Sequence, residues 1–372
     1  CYSSYTSAHG GQYNKAMGYG TTASGGYSYA SSEWSVAIGM HNQASGYHST
    51  AVGGWDNDGY SSYDAVNGGS SNRIYVPHSS INGGKSNYIY GYSSSISGGL
   101  SNSAGGSWSR VSGGATNSVA GDWSFVGAGA DNAAPSKYSG VGGGLSNSAY
   151  CSACHVTGGY NNYVGGSHSM IGGGTTNRVY SAHAMCAGGD ANSVYGYAAS
   201  IGGGKKNTAY GSWSRIGGGY GSRTYYSGST ASGGYTHWVY GDWSTVSGGF
   251  QNKASGDYST VNGGQSNFAA SYASVVSGGM YNSAYGSWST INGGAYSYVS
   301  GTWSFILGGY GNKATGTAPT VMGGKSNSAL GSYSAVIGGI ANKVYGGAYS
   351  GINGGTGNSV YAYAASIGGG ES

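Results

Sequence analysis

The chain has 372 residues and a formal net charge of +4, and only 6% of its residues are charged. The lysines and arginines are scattered along the chain, which argues against a nucleic-acid groove, and no apolar run approaches the roughly 20 residues that a membrane-spanning helix needs. Glycine accounts for 80 residues, which could suggest a disordered chain. However, 38% of the residues are hydrophobic, and an apolar residue recurs at fixed positions, which is not typical of a disordered sequence.

One phrase repeats along the chain, and Met280 to Gly294 shows it clearly as MYNSAYGSWSTINGG. We number its residues as positions one to fifteen, so that Asn282 holds position three and Trp288 position nine. The phrase recurs 24 times between residues 12 and 370. A short fixed period that ends in a double glycine predicts an all-β fold, a parallel β-solenoid (β-roll) in which each repeat is one coil. Residues 1–372 are therefore predicted to form a single continuous domain.

The array begins with a partial coil at residues 1–11 and changes length twice. Because Cys1 falls in the middle of a coil, we expect the chain to be a mature form cut after a leader or an excerpt of a longer array. The repeat at residues 27–39 is two residues short, and the repeat at residues 340–355 is one residue long.

Two stretches carry a resemblance to a known family. They are SVAIGMHNQASGYHSTAVGG, from Ser35 to Gly54, and SGGFQNKASGDYSTVNGG, from Ser247 to Gly264. Both resemble the head repeats of trimeric autotransporter adhesins (the YadA-like head), without that family's stalk and anchor. The resemblance implies a left-handed parallel β-roll, a cell-surface location and a role in adhesion or fibre building.

Within each coil, the pattern predicts two short strands, at positions three to six and nine to twelve. Glycine at position seven and the double glycine are expected to turn the chain, because glycine reaches positive φ without a Cβ clash. Alternation along a strand then turns positions three, five, ten and twelve inward, and Asp64 at position ten is the clear exception to an apolar or small interior. Position three predicts a stacked structural Asn ladder, here represented by Asn102, Asn117, Asn132, Asn147, Asn162, Asn177, Asn192 and Asn207.

Aromatic residues are concentrated at the outward positions six and nine. These two columns flank the turn at position seven and predict a contact band along one edge of the solenoid. The alternative is that the rings only stabilise the sheet by stacking between coils. We define the aromatic band by Tyr210, Trp213, Tyr240, Trp243, Tyr285, Trp288 and Trp303.

Few residues are candidates for chemistry. Cys151, Cys154 and His155 match the pattern of c-type haem attachment, but the repeat favours a local disulfide between Cys151 and Cys154, or two free thiols. The stretch Asp56-Asn57-Asp58-Gly59 is similar to the start of a calcium loop without its final glutamate, and a solvated turn is favoured.

Two further pairs, His168 with His183 and Asp242 with Asp257, lie on successive coils. The histidines are interpreted as substitutes in the aromatic column rather than as a metal site. The aspartates are interpreted as a like-charged pair rather than as a glycosidase site. We therefore expect no catalytic residue, no metal, no cofactor and no enzyme activity.

The sequence predicts an extracellular structural protein that forms a rod or fibre at the cell surface and is self-associating, adhesive or both. Self-association, as a fibre or trimer, is expected through the coil ends and the aromatic band, with a host or matrix surface as a further partner. Two alternatives remain: a solenoid that binds carbohydrate or ice, and a haem electron carrier that uses Cys151, Cys154 and His155.

Overall fold

The computed structural model describes residues 4–371, so Cys1 lies outside the described part of the chain. These residues form a parallel β-solenoid of about 24 turns, with two strands in each coil of roughly 15 residues, which confirms the predicted fold class. The coils fall into two compact units, Cys1–His183 and Ala184–Ser372. Over residues 4–371 we find no helix that is both long and apolar enough to span a membrane.

Each coil contributes one strand to each of two parallel rows. In the coil that begins at Met280, the first strand is Ser283–Ala284 and the second is Thr290–Ile291. Ser283 and Thr290 are half-buried, while Ala284 and Ile291 are fully buried, because successive side chains point to opposite faces. The strands are shorter than predicted, since they cover positions four to five and eleven to twelve.

In the unit Cys1–His183, the strands of the first row are Lys15–Ala16, Tyr29–Ala30, Gln43–Ala44, Asp58–Gly59, Arg73–Ile74, Tyr88–Ile89, Ser103–Ala104, Ser118–Val119, Ala133–Ala134, Ser148–Ala149, Tyr163–Val164 and Arg178–Val179. Those of the second row are Ser7–His9, Thr22–Gly26, Val36–Met40, Thr50–Trp55, Ala65–Asn67, Ser80–Ile81, Ser95–Ile96, Arg110–Val111, Phe125–Val126, Gly140–Val141, His155–Val156 and Met170–Ile171.

In the unit Ala184–Ser372, the strands of the first row are Ser193–Val194, Thr208–Ala209, Arg223–Thr224, Trp238–Val239, Lys253–Ala254, Phe268–Ala269, Ser283–Ala284, Tyr298–Val299, Lys313–Ala314, Ser328–Ala329, Lys343–Val344 and Ser359–Val360. Those of the second row are Met185–Cys186, Ser200–Ile201, Arg215–Ile216, Thr230–Ala231, Thr245–Val246, Thr260–Val261, Val275–Val276, Thr290–Ile291, Phe305–Ile306, Thr320–Val321, Ala335–Val336, Gly351–Ile352 and Ser366–Ile367.

A third row of pairing runs through position one, which the sequence did not predict. Met280 bridges Gln265 on one side and Ala295 on the other, in parallel. The amide of Met280 donates to the carbonyl of Gly294 at 3.0 Å. The backbone of each coil is therefore bonded to its neighbours on three sides, which satisfies peptide groups that a two-stranded coil would leave unpaired.

The first coils have a different length from the one predicted. Lys15 pairs with Tyr29 and Tyr29 with Gln43, so two successive coils have 14 residues, where the sequence suggested one of 15 and one of 13. Each of these coils has lost one residue from the glycine corner, and both strand rows continue through them, with one register shift between Ile38 and Met40 in the second row. The coil of 16 residues is as predicted, since Lys343 pairs with Ser359.

The interior is narrow and consists of positions three, five, ten and twelve. Asn282, Ala284, Ser289 and Ile291 are all 0% exposed. Isoleucine and valine at position twelve supply most of the buried apolar volume, and alanine, valine or isoleucine at position five face them. Because positions three and ten are buried, polar side chains there cost stability unless they are hydrogen-bonded. The hydroxyls of Ser259 and Ser297 are exceptions that have no partner among residues 4–371.

Glycine is needed at the two corners of the coil for different physical reasons. At position fifteen, Gly294 has φ +83°, as expected for glycine. At position seven the expectation of positive φ is wrong, because Gly286 is not in the left-handed region. There a Cβ atom would lie 1.9 Å from the carbonyl oxygen of Gly301 in the next coil, so glycine is needed for the close approach of two backbones.

The left-handed conformation is instead adopted by larger residues at positions two and nine. Trp213, Trp288 and Trp303 have φ values of 60°, 58° and 61°, and Tyr281 at position two has 55°. This conformation costs an L-residue on the order of 1–2 kcal/mol, so contacts within the stack must offset it. The consequence is that rings at position nine project from the corner rather than from the flat strand face.

Candidate interaction surfaces

The position-three asparagines form a buried column that bonds to the backbone. The predicted ladder residues are Asn102, Asn117, Asn132, Asn147, Asn162 and Asn177 in the first unit, and Asn192 and Asn207 in the second; each is at most 1% exposed. The Oδ1 atom of Asn102 accepts the backbone N–H of Asn117 at 3.0 Å. Its Nδ2 group donates to the carbonyls of Gly98 and Gly114, both at 3.0 Å.

This pattern differs from the amide-to-amide ladder that stacked asparagines form in cross-β assemblies. Direct side-chain bonds occur in places, as from Asn132 Nδ2 to Asn117 Oδ1 at 3.1 Å. The recurring bonds, however, join each side chain to the glycine corner and to the next backbone amide. The column therefore holds the corner of each coil against the strand of the following one.

His237 occupies the same column and partly reproduces the asparagine bonds. Its Nδ1 atom accepts the backbone N–H of Asn252 at 3.2 Å, so the ring carries its proton on Nε2. Nε2 is buried without a hydrogen bond of normal geometry among residues 4–371. Desolvation by burial lowers the pKa of His237, and the neutral ring is the form that can accept the amide.

Asp64 lies inside the coil, at a position that holds serine in most repeats. It is 1% exposed. Its Oδ2 atom accepts the backbone N–H of Ser61 at 2.8 Å, while Oδ1 is buried without a partner among the described residues. Desolvation raises the pKa of Asp64 to about 7, although the hydrogen bond from the backbone N–H of Ser61 acts in the opposite direction. The carboxyl group is therefore partly protonated at neutral pH.

The stretch Asp56-Asn57-Asp58-Gly59 forms ion pairs across two coils. Arg73 in the next coil places Nη2 3.1 Å from Asp56 Oδ2 and Nε 3.0 Å from Asp58 Oδ2. The hydroxyl of Tyr60 donates to Asp58 at 2.8 Å, and burial together with this bond raises the pKa of Tyr60 to about 12. The guanidinium of Arg73 therefore pairs with the two carboxylates that a calcium loop would use to bind its cation.

Cys151 and Cys154 are joined by a disulfide within one coil, with Cα atoms 5.5 Å apart. The bond links positions seven and ten, where Ser289 in another coil donates a hydrogen bond to the carbonyl of Gly286. Both sulfurs are buried and bonded to each other, so neither is free to form a thioether to haem. The ring of His155 lies against Phe125 at 5.1 Å, and burial lowers its pKa.

The remaining candidates for chemistry have structural contacts. Asp257 Oδ1 accepts the backbone N–H of Asp242 at 2.9 Å, and Asp242 Oδ1 accepts that of Ser227 at the same distance. His168 and His183 stack at 5.2 Å with their planes 6° apart. Cys186 is a buried free thiol, and burial raises its pKa to about 11. Within residues 4–371, no group of three or more histidines, cysteines and carboxylates is arranged to hold a metal ion.

The aromatic band lies on the surface of the second unit. Trp213, Trp243 and Trp303 are 58–59% exposed. Tyr210, Tyr285 and Trp288 are also exposed, and Tyr240 is half-buried. Rings in successive coils contact each other: Tyr210 and Tyr225 are 5.3 Å apart, and Trp288 and Trp303 are 5.3 Å apart. The faces buried between neighbouring rings stabilise the stack, and the outer edges remain free for contact.

A longer ring contact path runs along position nine and its neighbour, position eight, in the first unit. Successive centroids are between 4.9 and 6.1 Å apart. The path consists of Tyr5, Tyr19, Trp34, His48, Tyr63, His78, Tyr92, Trp108 and Trp123. Histidine and tyrosine replace tryptophan here without interrupting the contacts.

Another aromatic column, at positions one and two, was missed by the sequence reasoning. Tyr220, Tyr235 and Phe250 stack at 4.9 and 5.1 Å along position one. Tyr281 and Tyr296 stack at 5.2 Å along position two. The sequence does contain this column, as aromatic residues spaced 15 apart. It was missed because aromatic residues are more frequent at positions six and nine.

Comparison with known proteins adds no family to these observations. No family model matches the chain, and no curated protein matches it either.

Proposed function

We propose that this chain is an extracellular structural repeat protein that builds a fibre at the cell surface and associates with copies of itself through the aromatic band. The observation that carries the proposal is the exposure of Trp213, Trp243 and Trp303 in one column, each with more than half of its surface in contact with solvent. Large rings exposed along one edge are costly in water and mark an interaction surface.

Three other features support this proposal. The potentially reactive groups discussed above, from the Asp56–Asp58 pair to the position-eight carboxylates, are engaged in holding coils together. The disulfide between Cys151 and Cys154 is of a kind that persists in oxidising environments such as the cell exterior. Coils that extend by backbone pairing also suit a fibre, because any unpaired coil edge offers the same hydrogen bonds to another copy.

Sedimentation velocity over a range of protein concentrations tests the proposal. The test variant replaces Trp213, Trp243, Trp288 and Trp303 with serine. Position nine already holds Ala198, Gly228 and Ala273 in other coils, so the fold is expected to tolerate the change. The parent chain should form larger species as concentration rises, and the variant should remain smaller.

The matched control removes the same number of rings from the other aromatic column, as Tyr220→Ser, Tyr235→Ser, Phe250→Ser and Tyr281→Ser. It should associate as the parent does. A parent chain that stays monomeric at every concentration would exclude self-association of this kind. Equal loss of association in both variants would show that the aromatic band has no special role.

A further inference from the structure

Two grooves on the surface share one short phrase. Ser107-Trp108-Ser109-Arg110 lies in the first unit and Ser212-Trp213-Ser214-Arg215 in the second. In both, tryptophan holds position nine and arginine position eleven, so that the two side chains point outward on the same side of the coil. Both arginines are exposed. The same pair of side chains therefore occurs at two places that are separate in sequence.

The groove in the first unit has a volume of about 540 Å³ and includes Trp108, Arg110, Trp123 and Phe125 in its lining. The two indoles stack at 5.0 Å with their planes 7° apart, which makes a continuous apolar wall. Ser109 and Ser124 also line the groove. An apolar wall, a cation and hydroxyl groups thus meet in one depression.

The groove in the second unit has a volume of about 470 Å³ and includes Trp213, Arg215, Gly228 and Trp243 in its lining. Gly228 occupies position nine in the middle coil, so no side chain separates the two tryptophans. A Cβ atom at Gly228 would lie 2.4 Å from the ring of Trp243, which shows that this indole leans over the glycine. The two tryptophans are two coils apart, which at about 4.8 Å per coil leaves an open notch between them.

The arginines in these grooves are not neutralised by the protein. Neither Arg110 nor Arg215 forms an ion pair with a carboxylate among the described residues, whereas Arg73 binds two. The acidic residue nearest to Arg110 in sequence is Asp122, whose carboxylate accepts the backbone N–H of Ser107, and the one nearest to Arg215 is Asp190, which forms an ion pair with Lys205. Neither aspartate lines a groove.

We propose that both grooves bind an acidic polysaccharide. The sugar ring packs against the exposed edges of the indoles, and the guanidinium of Arg110 or Arg215 pairs with a carboxylate or sulfate of the same polymer. Arginine suits this role because its planar donors match either anion in a bidentate way. This inference rests on the proposed function in one respect, since only a chain exported from the cell would meet extracellular polysaccharides.

Sparse charge makes a general attraction to polyanions a poor alternative. The chain carries a net charge of only +4 over 372 residues, so binding by charge alone should be weak and lost at moderate salt. A bound acidic polysaccharide must therefore use the rings as well as the guanidinium groups. This requirement separates the proposal from simple ion exchange.

The experiment measures binding of the full chain to immobilised polymers at 0.15 M salt by biolayer interferometry. The polymers are polygalacturonate for the carboxylate, dextran sulfate for the sulfate, neutral dextran and polyglutamate. We expect binding to one or both acidic polysaccharides, and at least tenfold weaker binding to dextran and polyglutamate. The variant Arg110→Gln with Arg215→Gln should bind at least tenfold more weakly, and so should Trp108→Ala with Trp213→Ala.

The matched control is Arg223→Gln with Lys313→Gln, which removes the same charge from exposed position-four side chains. It should bind as the parent does. Equal binding to polyglutamate, equal weakening in the control, or no binding to either acidic polysaccharide would overturn the proposal. Sedimentation of the arginine variant should show unchanged self-association, so that failure here is distinct from failure of the proposed function.

Discussion

Asp64 is the residue at which this chain departs furthest from its own repeat. Serine at position ten donates a hydroxyl proton to a backbone carbonyl, as Ser49 does to Gly46 at 2.7 Å. An ionised aspartate cannot donate, and one of its oxygens is buried without a partner among residues 4–371. The carboxyl group is therefore tolerated at this position best when it is protonated.

We predict that Asp64→Ser stabilises the protein at neutral pH and much less at pH 4. The folded pKa of about 7 lies above the ordinary value of 3.8. Stability from the protonated carboxyl is therefore fully present below about pH 4 and is lost as pH rises towards 7. The gain from the substitution should reach up to about 4 kcal/mol at pH 8.

Thermal melting of both proteins between pH 4 and pH 8 measures this difference. Asp131→Ser, which changes an exposed aspartate, is the control and should shift the melting temperature little at any pH. A gap between Asp64→Ser and the parent that does not change with pH would show that Asp64 keeps its ordinary pKa.

At the scale of the coil, the corners vary in length while the pairing of strands between coils continues. The 14-residue coils near Tyr29 lose a residue at the glycine corner, and the 16-residue coil gains one between Val344 and Tyr349. In both cases the strands still pair with those of the neighbouring coils, and the 14-residue coils show one register shift, between Ile38 and Met40. Shortening is therefore accommodated at the double glycine and lengthening at the opposite corner.

We predict that a deletion of Gly293 is tolerated and that a deletion of Ser287 is not. Gly293 lies at the glycine corner, where an added Cβ would meet nothing within 4 Å. The next residue at position three is Ser297, so no asparagine amide needs the carbonyl of Gly293. Ser287 lies at the other corner, and its carbonyl accepts the amide of Trp303 at 3.0 Å.

Circular dichroism melting of the two deletion variants gives the test. The variant without Gly293 should melt within a few degrees of the parent, and the variant without Ser287 much lower. Equal melting temperatures would mean that the two corners shorten with equal ease.

The sequence was sufficient to predict the coil because the 15-residue period, the glycines at the corners and the alternation of buried and outward residues all indicate the same structure. Ala284 and Ile291 alternate with outward residues as a strand requires. It could not show that Gly286 is selected by the approach of Gly301, since that contact lies between coils. Nor could it show positive φ at Trp288, because large aromatic residues rarely adopt this conformation.

The candidate surfaces were predicted in part. The outward tryptophans follow from the period alone, but the grooves beside Arg110 and Arg215 depend on which residues occupy neighbouring coils. Gly228 leaves a notch only because Trp213 and Trp243 lie one coil away on either side. Such neighbours are separated by a full repeat in the sequence, so a motif search within one repeat does not find them.

For the molecule as a whole, a solenoid has contacts only between adjacent coils, so damage should stay local. We predict that Asn282→Asp unfolds the surrounding coils and leaves the unit Cys1–His183 protected from hydrogen exchange. The substitution removes the donor to Gly278 and Gly294 and buries a charge. The local cost should be about 3 kcal/mol or more.

Hydrogen exchange followed by mass spectrometry locates the effect along the chain. The control is Asn292→Asp, because Asn292 is exposed at position thirteen. It should leave the exchange pattern unchanged. Loss of protection throughout both units in Asn282→Asp would show that the whole chain unfolds as one cooperative body.

The bonds of the asparagine column also bear on chemical ageing. Asparagine followed by a small residue deamidates when the next backbone nitrogen attacks the side-chain carbonyl carbon. Asn102 precedes Ser103, but the amide of Ser103 is held by the carbonyl of Asn117 at 2.8 Å. Both amide hydrogens of Asn102 are engaged as well. A sequence that would decay quickly as a free peptide is thus kept intact over time by the stacking of its coils.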